Sequence, residues 1–209
     1  MEIKSLSHTS PDELFEAFEQ AFADYEVQLN KAEHLTMFKR RGFNPKASFG
    51  AFDRDKLVSF TCNGIGNFYG VRAAYDTGTG TLKDYQGRGL ATQVFEYSIP
   101  YLRELGIEEY LLEVLQHNTG ALSVYRKLGF EITREFYYFK QKNEQVDRAV
   151  KALDCYYTLK SIKISEYSSI HKFWDFEPSW QNSFEAINNT LKDFICLGIF
   201  LESKLVGYG

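Results

Sequence analysis

Apolar residues first fall into a helical rhythm at Leu14, Phe15, Phe18 and Phe22, a single stripe at three- and four-residue spacing. Ser10-Pro11-Asp12-Glu13 opens that helix with a capping serine, a proline at the first position and a glutamate three residues after the cap. A short strand over 2–6 precedes it, and a second short helix over 31–40 ends before Gly42 and Pro45. From Ala47 the period changes to that of strands. Residues 48–52 and 57–63 flank Asp53-Arg54-Asp55 as a hairpin, Asn63-Gly64-Ile65-Gly66-Asn67 breaks it, and another strand runs over 71–81. A long helix follows Gly87 as far as Leu105, with Leu90, Val94, Tyr97, Tyr101, Leu102 and Leu105 on its inner side. Pro100 inside it predicts a kink or an early stop. A strand over 107–115, a helix over 118–128 closed by Gly129, and an aromatic strand pair over 130–140 complete the pattern. Strands alternating with helices from 71 to 140 predict a mixed α/β layer with parallel central pairing.

After Lys140 the chain turns polar over 141–149, where a linker is expected, and then restarts. Lys160-Ser-Ile-Lys-Ile-Ser165 resembles the opening Glu2-Ile-Lys-Ser-Leu-Ser7, and Gly198 to Tyr208 echoes Gly50 to Phe60. The alternative is two hairpins that merely share a turn style. The repeat predicts a domain over 1–140, a linker over 141–154 and a partial copy of the domain over 155–209. An unfinished sheet would expose an edge, which suggests docking on the first module, a homodimer through the second, or a longer native chain.

With 209 residues and 25% charged side chains at a net charge of −4, the composition is that of a globular protein with no basic block for a nucleic acid. The longest apolar run is too short to span a bilayer, and the N-terminus lacks a signal-peptide core, so a cytoplasmic location is expected. Cys62, Cys155 and Cys196 are isolated, and the four histidines are scattered, so no metal site is expected.

The chemistry concentrates at Gln86-Gly87-Arg88-Gly89-Leu90-Ala91-Thr92, preceded by Thr77-Gly78-Thr79-Gly80-Thr81. Glycines there let a ligand approach the backbone, and the first amides of a helix point outward with the positive end of its dipole behind them. That is a cradle for phosphate, to which Arg88 adds charge. About thirty residues on comes Asn118-Thr-Gly-Ala121-Leu-Ser-Val-Tyr125-Arg-Lys-Leu128-Gly-Phe130. In Gln86-x-x-Gly89-x-Ala91 and in this second motif, the sequence resembles the GNAT superfamily of N-acetyltransferases. The resemblance covers residues 1–140 and implies the GNAT fold: a mixed central sheet with a splayed strand pair, flanked by helices.

It also implies acetyl-CoA as co-substrate and transfer of its acetyl group to a primary amine by direct attack. The backbone of Gly87, Arg88, Gly89, Leu90, Ala91 and Thr92 would hold the pyrophosphate, with Gln86 opening the signature. Thr79, Gly80 and Thr81 would pair with the pantetheine arm, one of their amides polarising the thioester carbonyl. Asn118 would contact the coenzyme arm, and Tyr125 would protonate the leaving thiolate. Lys83 stands where many members have proline.

A lysine-type amine is protonated near neutrality, with a pKa of about 10.4, so a base assists the reaction. Glu113 matches the glutamate of ribosomal-protein alanine acetyltransferases. Tyr75 occupies the position of the catalytic glutamate in histone-type members, and Asp76 beside it is a further candidate base, its side chain on the opposite strand face. A water chain without a dedicated base, a packed Tyr125 and a Glu113 held by its neighbours are the plainer alternatives. Phe68, Tyr69, Tyr75, Tyr137 and Tyr138 would line an acceptor pocket for a small-molecule or peptide amine, or else pack as ordinary sheet aromatics. A non-catalytic acyl-CoA sensor or scaffold is the competing reading. A dinucleotide-binding protein fits poorly, because no GxGxxG follows the first strand.

Overall fold

Ser10 caps helix α1 (Pro11–Ala21) as the pattern predicts: its hydroxyl accepts from the Glu13 amide, and the Glu13 carboxylate accepts from the Ser10 amide. Asn30 and Glu33 build the same reciprocal cap at α2 (Lys31–Arg40). The computed structural model describes residues 1–25, 28–139, 141, 142, 144, 156–163 and 170–209. They divide into two units, one of Met1–Leu128 with Pro178–Leu191, the other of Gly129–Glu177 with Lys192–Gly209. Most of the expected linker, 143 and 145–154, lies outside the described residues.

The first unit holds a sheet in the order β1 (Glu2–Ser5), β2 (Phe49–Asp53), β3 (Lys56–Phe68), β4 (Val71–Thr81) and β5 (Glu109–Leu111). The first four strands are antiparallel in succession, whereas β5 lies parallel to β4, which makes the sheet mixed. Helix α1 and Phe38 of α2 cover one face, packing on Leu6, Phe52, Leu57, Phe60 and Cys62. Helix α3 (Leu90–Glu104) covers the other, its Leu90 and Val94 buried against Phe49, Ala51 and Val58. Each such buried aliphatic side chain contributes about 1.5–3 kcal/mol. Helix α4 (Thr119–Lys127) follows β5, with Asn118 as its cap.

Several expectations are corrected. Residues 63–67 do not break the hairpin: β3 runs through them, and a register shift between Cys62 and Asn63 absorbs the irregularity. Gly64 is needed for contact, since a Cβ there would lie 2.0 Å from the Arg41 carbonyl oxygen. Of the two outcomes expected of Pro100, the early stop does not occur, since α3 continues to Glu104. The inner face of α3 is Leu90, Val94, Phe95, Ser98 and Leu102, while Tyr97, Tyr101 and Leu105 are exposed. The strand expected over 107–115 pairs only at Glu109–Leu111, and no strand forms among 130–139. Four consecutive aromatics at 136–139 lack the two-residue alternation that buries one face of a strand.

In the second unit, β6 (Tyr157–Ser161), β7 (Leu197–Leu201) and β8 (Lys204–Tyr208) form an antiparallel sheet in that order. Its pairing follows that of β1–β3, but Lys160 lies opposite Gly198 as Lys4 lies opposite Gly50, two positions from the match of Lys160 with Glu2 expected from the sequence. Gly50 pairs with Phe60 and Gly198 with Tyr208; a register shift follows Ala51 in one and Ile199 in the other. The turn residues Arg54 and Glu202 both adopt positive φ, 57° and 56°. Lys4 lies over the Phe52 ring and Lys160 over Phe200. The Trp174 indole N–H donates to the Tyr208 hydroxyl within this unit.

Candidate active site

The glycine turn sits where β4 hands over to α3. Gly87 and Gly89 both adopt left-handed backbone, φ 73° and 71°, and Gly89 is the N-cap of α3. Side chains other than glycine are strained in that conformation, which is why the pattern needs two glycines so close together. The helical ladder begins with the Gln93 amide on the Gly89 carbonyl, so the amides of Leu90, Ala91 and Thr92 precede any intrahelical acceptor. The Leu90 side chain is core, leaving only its backbone to the turn. Arg88 folds back, donating to the Asp84 carbonyl at 2.7 Å with its guanidinium over the Tyr85 ring. The Gln86 side chain donates to the Thr81 carbonyl at 3.2 Å, tying the turn to the end of β4.

Strands β4 and β5 stay together only over Ala73–Tyr75 and Glu109–Leu111; beyond Tyr75, β4 runs on to Thr81 paired with β3. At this parting lies a polar cluster in a buried setting. The Tyr125 hydroxyl donates to Asp76 Oδ2 at 2.7 Å, Thr79 Oγ1 donates to the same oxygen at 2.7 Å, and the Gly78 amide donates to Oδ1 at 2.9 Å. Burial raises the Asp76 carboxyl pKa above its ordinary value, against the lowering by Thr79, Tyr125, Gly78 and Arg41. The Tyr125 phenol is pushed far up by burial, by the Asp76 charge and by the hydrogen bond to Asp76. It therefore stays protonated near neutral pH. Cys62, fully buried nearby, is likewise pushed up by burial and by Asp76.

The other residues of the strand tail have packing partners of their own. A Cβ on Gly78 would lie 2.5 Å from the Phe18 ring, and one on Gly80 would lie 2.7 Å from Phe60 and 2.9 Å from Ala21. Helix α1 thus rests directly on this part of β4. Thr81 shares a 2.8 Å hydrogen bond with Ser59, and Asn118 Oδ1 caps α4 by accepting from the Ala121 amide at 3.1 Å.

Tyr75, Phe68 and Glu113 meet on a second side of the parting, and there the structure adds residues that the sequence reading passed over. Trp180 stacks flat on Tyr75, 5.2 Å between centroids at 7°, and on Phe68 at 5.5 Å. Its backbone N–H donates to Glu113 Oε1 at 3.2 Å and its indole N–H to the Arg41 carbonyl at 3.1 Å. Gln181 Nε2 donates to Glu113 Oε2 at 3.1 Å, and Arg41 donates to Gln181 Oε1 at 2.9 Å. Arg40 donates to the Gln181 carbonyl at 2.8 Å and to Asn182 Oδ1 at 2.9 Å. Tyr69 holds a positive φ of 52° and donates to the Pro178 carbonyl. Arg40 and Arg41, adjacent at the end of α2, were the available signal for such a partner. Tyr137 and Tyr138 belong to the second unit and are 91% and 78% exposed.

These features define a protein class. The model of the acetyltransferase (GNAT) family matches residues 11–130, and the chain belongs to that family. Among curated relatives, N-alpha-acetyltransferase MAK3 of Arabidopsis thaliana is 32% identical over 116 residues, 54% of this chain and 61% of that protein. The probable N-acetyltransferase san of Drosophila melanogaster is 34% identical over 91 residues, 42% of this chain and 50% of that protein. The chain thus spans only part of the length of the relatives it matches. Among solved structures, an aminoglycoside acetyltransferase from a soil metagenomic sample superposes with TM-score 0.54 at 20% identity, covering 68% of this chain and 96% of that one. The NatC complex bound to Gag peptide and CoA gives TM-score 0.54 at 20% identity, covering 64% of this chain and 87% of the other. These two likenesses concern the fold.

Proposed function

We propose that the chain is an acetyl-CoA-dependent N-acetyltransferase that acylates a primary amine by direct attack. The observation that carries this reading is the Tyr125–Asp76 hydrogen bond, 2.7 Å long, beside the strand that leads into the glycine turn. The residues present suit the coenzyme. Two left-handed glycines and the leading amides of α3 offer donors to a diphosphate, with the Arg88 charge alongside. Thr79, Gly80 and Thr81 lie on the β4 tail, whose amides would receive the pantetheine arm and thioester carbonyl, and Asn118 would reach the same arm. When bound, acetyl-CoA supplies the activated acyl group.

In this reading the amine, its ammonium proton already lost to solvent, bonds through nitrogen to the carbonyl carbon as the carbon–sulfur bond breaks. The departing sulfur takes the Tyr125 phenolic proton, and the amine's proton passes to Asp76, which returns it to the phenolate. Asp76 thereby becomes the first choice of base, its raised pKa fitting it to hold a proton. Glu113 would act as base only after shedding the donors from Trp180 and Gln181. Relatives named N-alpha-acetyltransferases favour the α-amine of a peptide over a free small molecule as acceptor. Phe68, Tyr69 and Tyr75 would form its apolar wall. The matched register and turn of the two sheets support reading 155–209 as the opening of a second module of the same kind. Pairing through that module would give a homodimer, which light scattering after size exclusion resolves.

The competing reading, a non-catalytic acyl-CoA sensor, is favoured by the filling of the Glu113 side with the chain's own residues. Acetyl-CoA at about 100 times its dissociation constant is expected to stabilise either protein by about 2.7 kcal/mol. Release of free thiol with a panel of peptide and small amines is expected only for the transferase. Tight coenzyme binding with no thiol release from any amine would select the sensor.

A further inference from the structure

We propose that the segment Pro178–Ser183 occupies the acceptor groove of its own domain as an internal stand-in for substrate, and that an acceptor enters by displacing it. The inference takes its acceptor from the acetyl-transfer reading, while its geometry stands on contacts within the first unit.

The segment is seated by side-chain and main-chain contacts together. Glu113, the carboxylate expected at the acceptor side, accepts through both oxygens, from the Trp180 backbone N–H and from the Gln181 side chain. A backbone nitrogen at 3.2 Å from Glu113 Oε1 marks where that oxygen would receive an acceptor's α-amine on its way to the thioester beside Asp76. The Trp180 indole then fills the aromatic floor, between Phe68 and Tyr75. An acceptor of matching chemistry is a peptide whose free α-amine is followed immediately by a large apolar or aromatic side chain. Two arginines secure the segment, Arg40 through Gln181 and Asn182, Arg41 through Gln181 and its own carbonyl. Downstream, Glu185 accepts from the Asn67 amide at 2.8 Å, fixing the far end of the segment to β3.

The segment is also built to leave. Its hold on Glu113 includes two hydrogen bonds longer than 3 Å, each worth only a modest net free energy because a competitor's donors replace them. The peptide nitrogen of Trp180 is an amide and carries no basic lone pair, so the stand-in cannot itself be acylated at that atom. An acceptor brings a cationic amine to the same carboxylate, and a charge-assisted bond is the stronger of the two.

The test uses the full chain with 5-fluorotryptophan at its two tryptophans, the Trp180 resonance being assigned with Trp174→Phe. The probe is the peptide Trp-Gln-Asn-Ser-Phe-Glu, bearing a free α-amine, with its N-acetylated form as control. The free peptide is expected to shift the Trp180 resonance toward the solvent-exposed position and the acetylated form to leave it in place. Trp180→Ala and Arg40→Ala are each expected to lower the KM for the free peptide, by about tenfold if the segment fills the groove nine-tenths of the time. Arg40→Ala leaves the aromatic stack intact, so it stands if Trp180→Ala proves poorly folded by thermal melting. A peptide that is acetylated while the Trp180 resonance stays fixed would overturn the inference and leave the transferase reading standing. So would a raised KM in Arg40→Ala, which would make the segment a wall of the site. A resonance shift without acetylation in any variant would uphold the groove and sink the transferase reading.

Discussion

Tyr125 reaches the strand parting with its proton directed at Asp76. Replacing it by phenylalanine removes the proton and keeps the ring, so turnover is expected to fall roughly a hundredfold or more while acetyl-CoA affinity holds. Steady-state kinetics beside a coenzyme titration measures both. Asp76→Asn is expected to cost turnover similarly and to remove the acid limb of the pH–rate profile. A second residue speaks to stability. His34 is 1% exposed among Phe15, Phe18 and Phe38, and neither ring nitrogen has a hydrogen-bond partner among the described residues. Burial, with the Arg41 charge, lowers its pKa from 6.5 to about 4. The unfolded chain takes up that proton first, so His34's contribution is complete above about pH 6.5 and is lost progressively down to about pH 4. Melting temperatures across that window are expected to fall less steeply for His34→Phe than for wild type.

Elements carry the next set of consequences. The caps at Ser10 and Asn30 are reciprocal pairs, and each replacement by alanine is expected to cost about 1 kcal/mol in urea unfolding. They belong to separate helices, so the double variant is expected to show nearly the sum. Gly64 is less forgiving, because its neighbour is backbone: Gly64→Ala sets a methyl 2.0 Å from the Arg41 carbonyl and is expected to destabilise by roughly 2 kcal/mol or more. Helices were the most legible part of the sequence, α1 down to its Ser10 cap and α2 in its bounds, because capping and periodicity are local. The length of β3 was not, because Gly64 and Gly66 read as turn residues until α2 and Trp180 supply the bodies they make room for. The same blindness hid the site's second side. Glu113 and Tyr75 could be named in isolation, but the tryptophan laid across them comes from more than sixty positions further on, and no periodicity connects such residues.

For the molecule as a whole, the two hairpins that echo one another in the sequence pair alike, down to the register shift and the left-handed turn residue. A turn that places Arg54 and Glu202 at positive φ is strained twice over. Arg54→Asn and Glu202→Asn are each expected to raise the stability of their own sheet by a few tenths to about 1 kcal/mol, read by hydrogen exchange of the flanking strands. What the sequence placed least well was the division of the chain, because Pro178–Leu191 lies with the first unit although it follows the expected linker.

Cys62 turns the tight fit of β3 into a chronometer. Its sulfur is sealed within the sheet and disinclined to ionise, so an alkylating reagent reaches it only during the moments when the strand detaches. Mass spectrometry of that one thiol would therefore count detachments, and a bound coenzyme that staples β4 to α3 should slow the count without touching the sulfur.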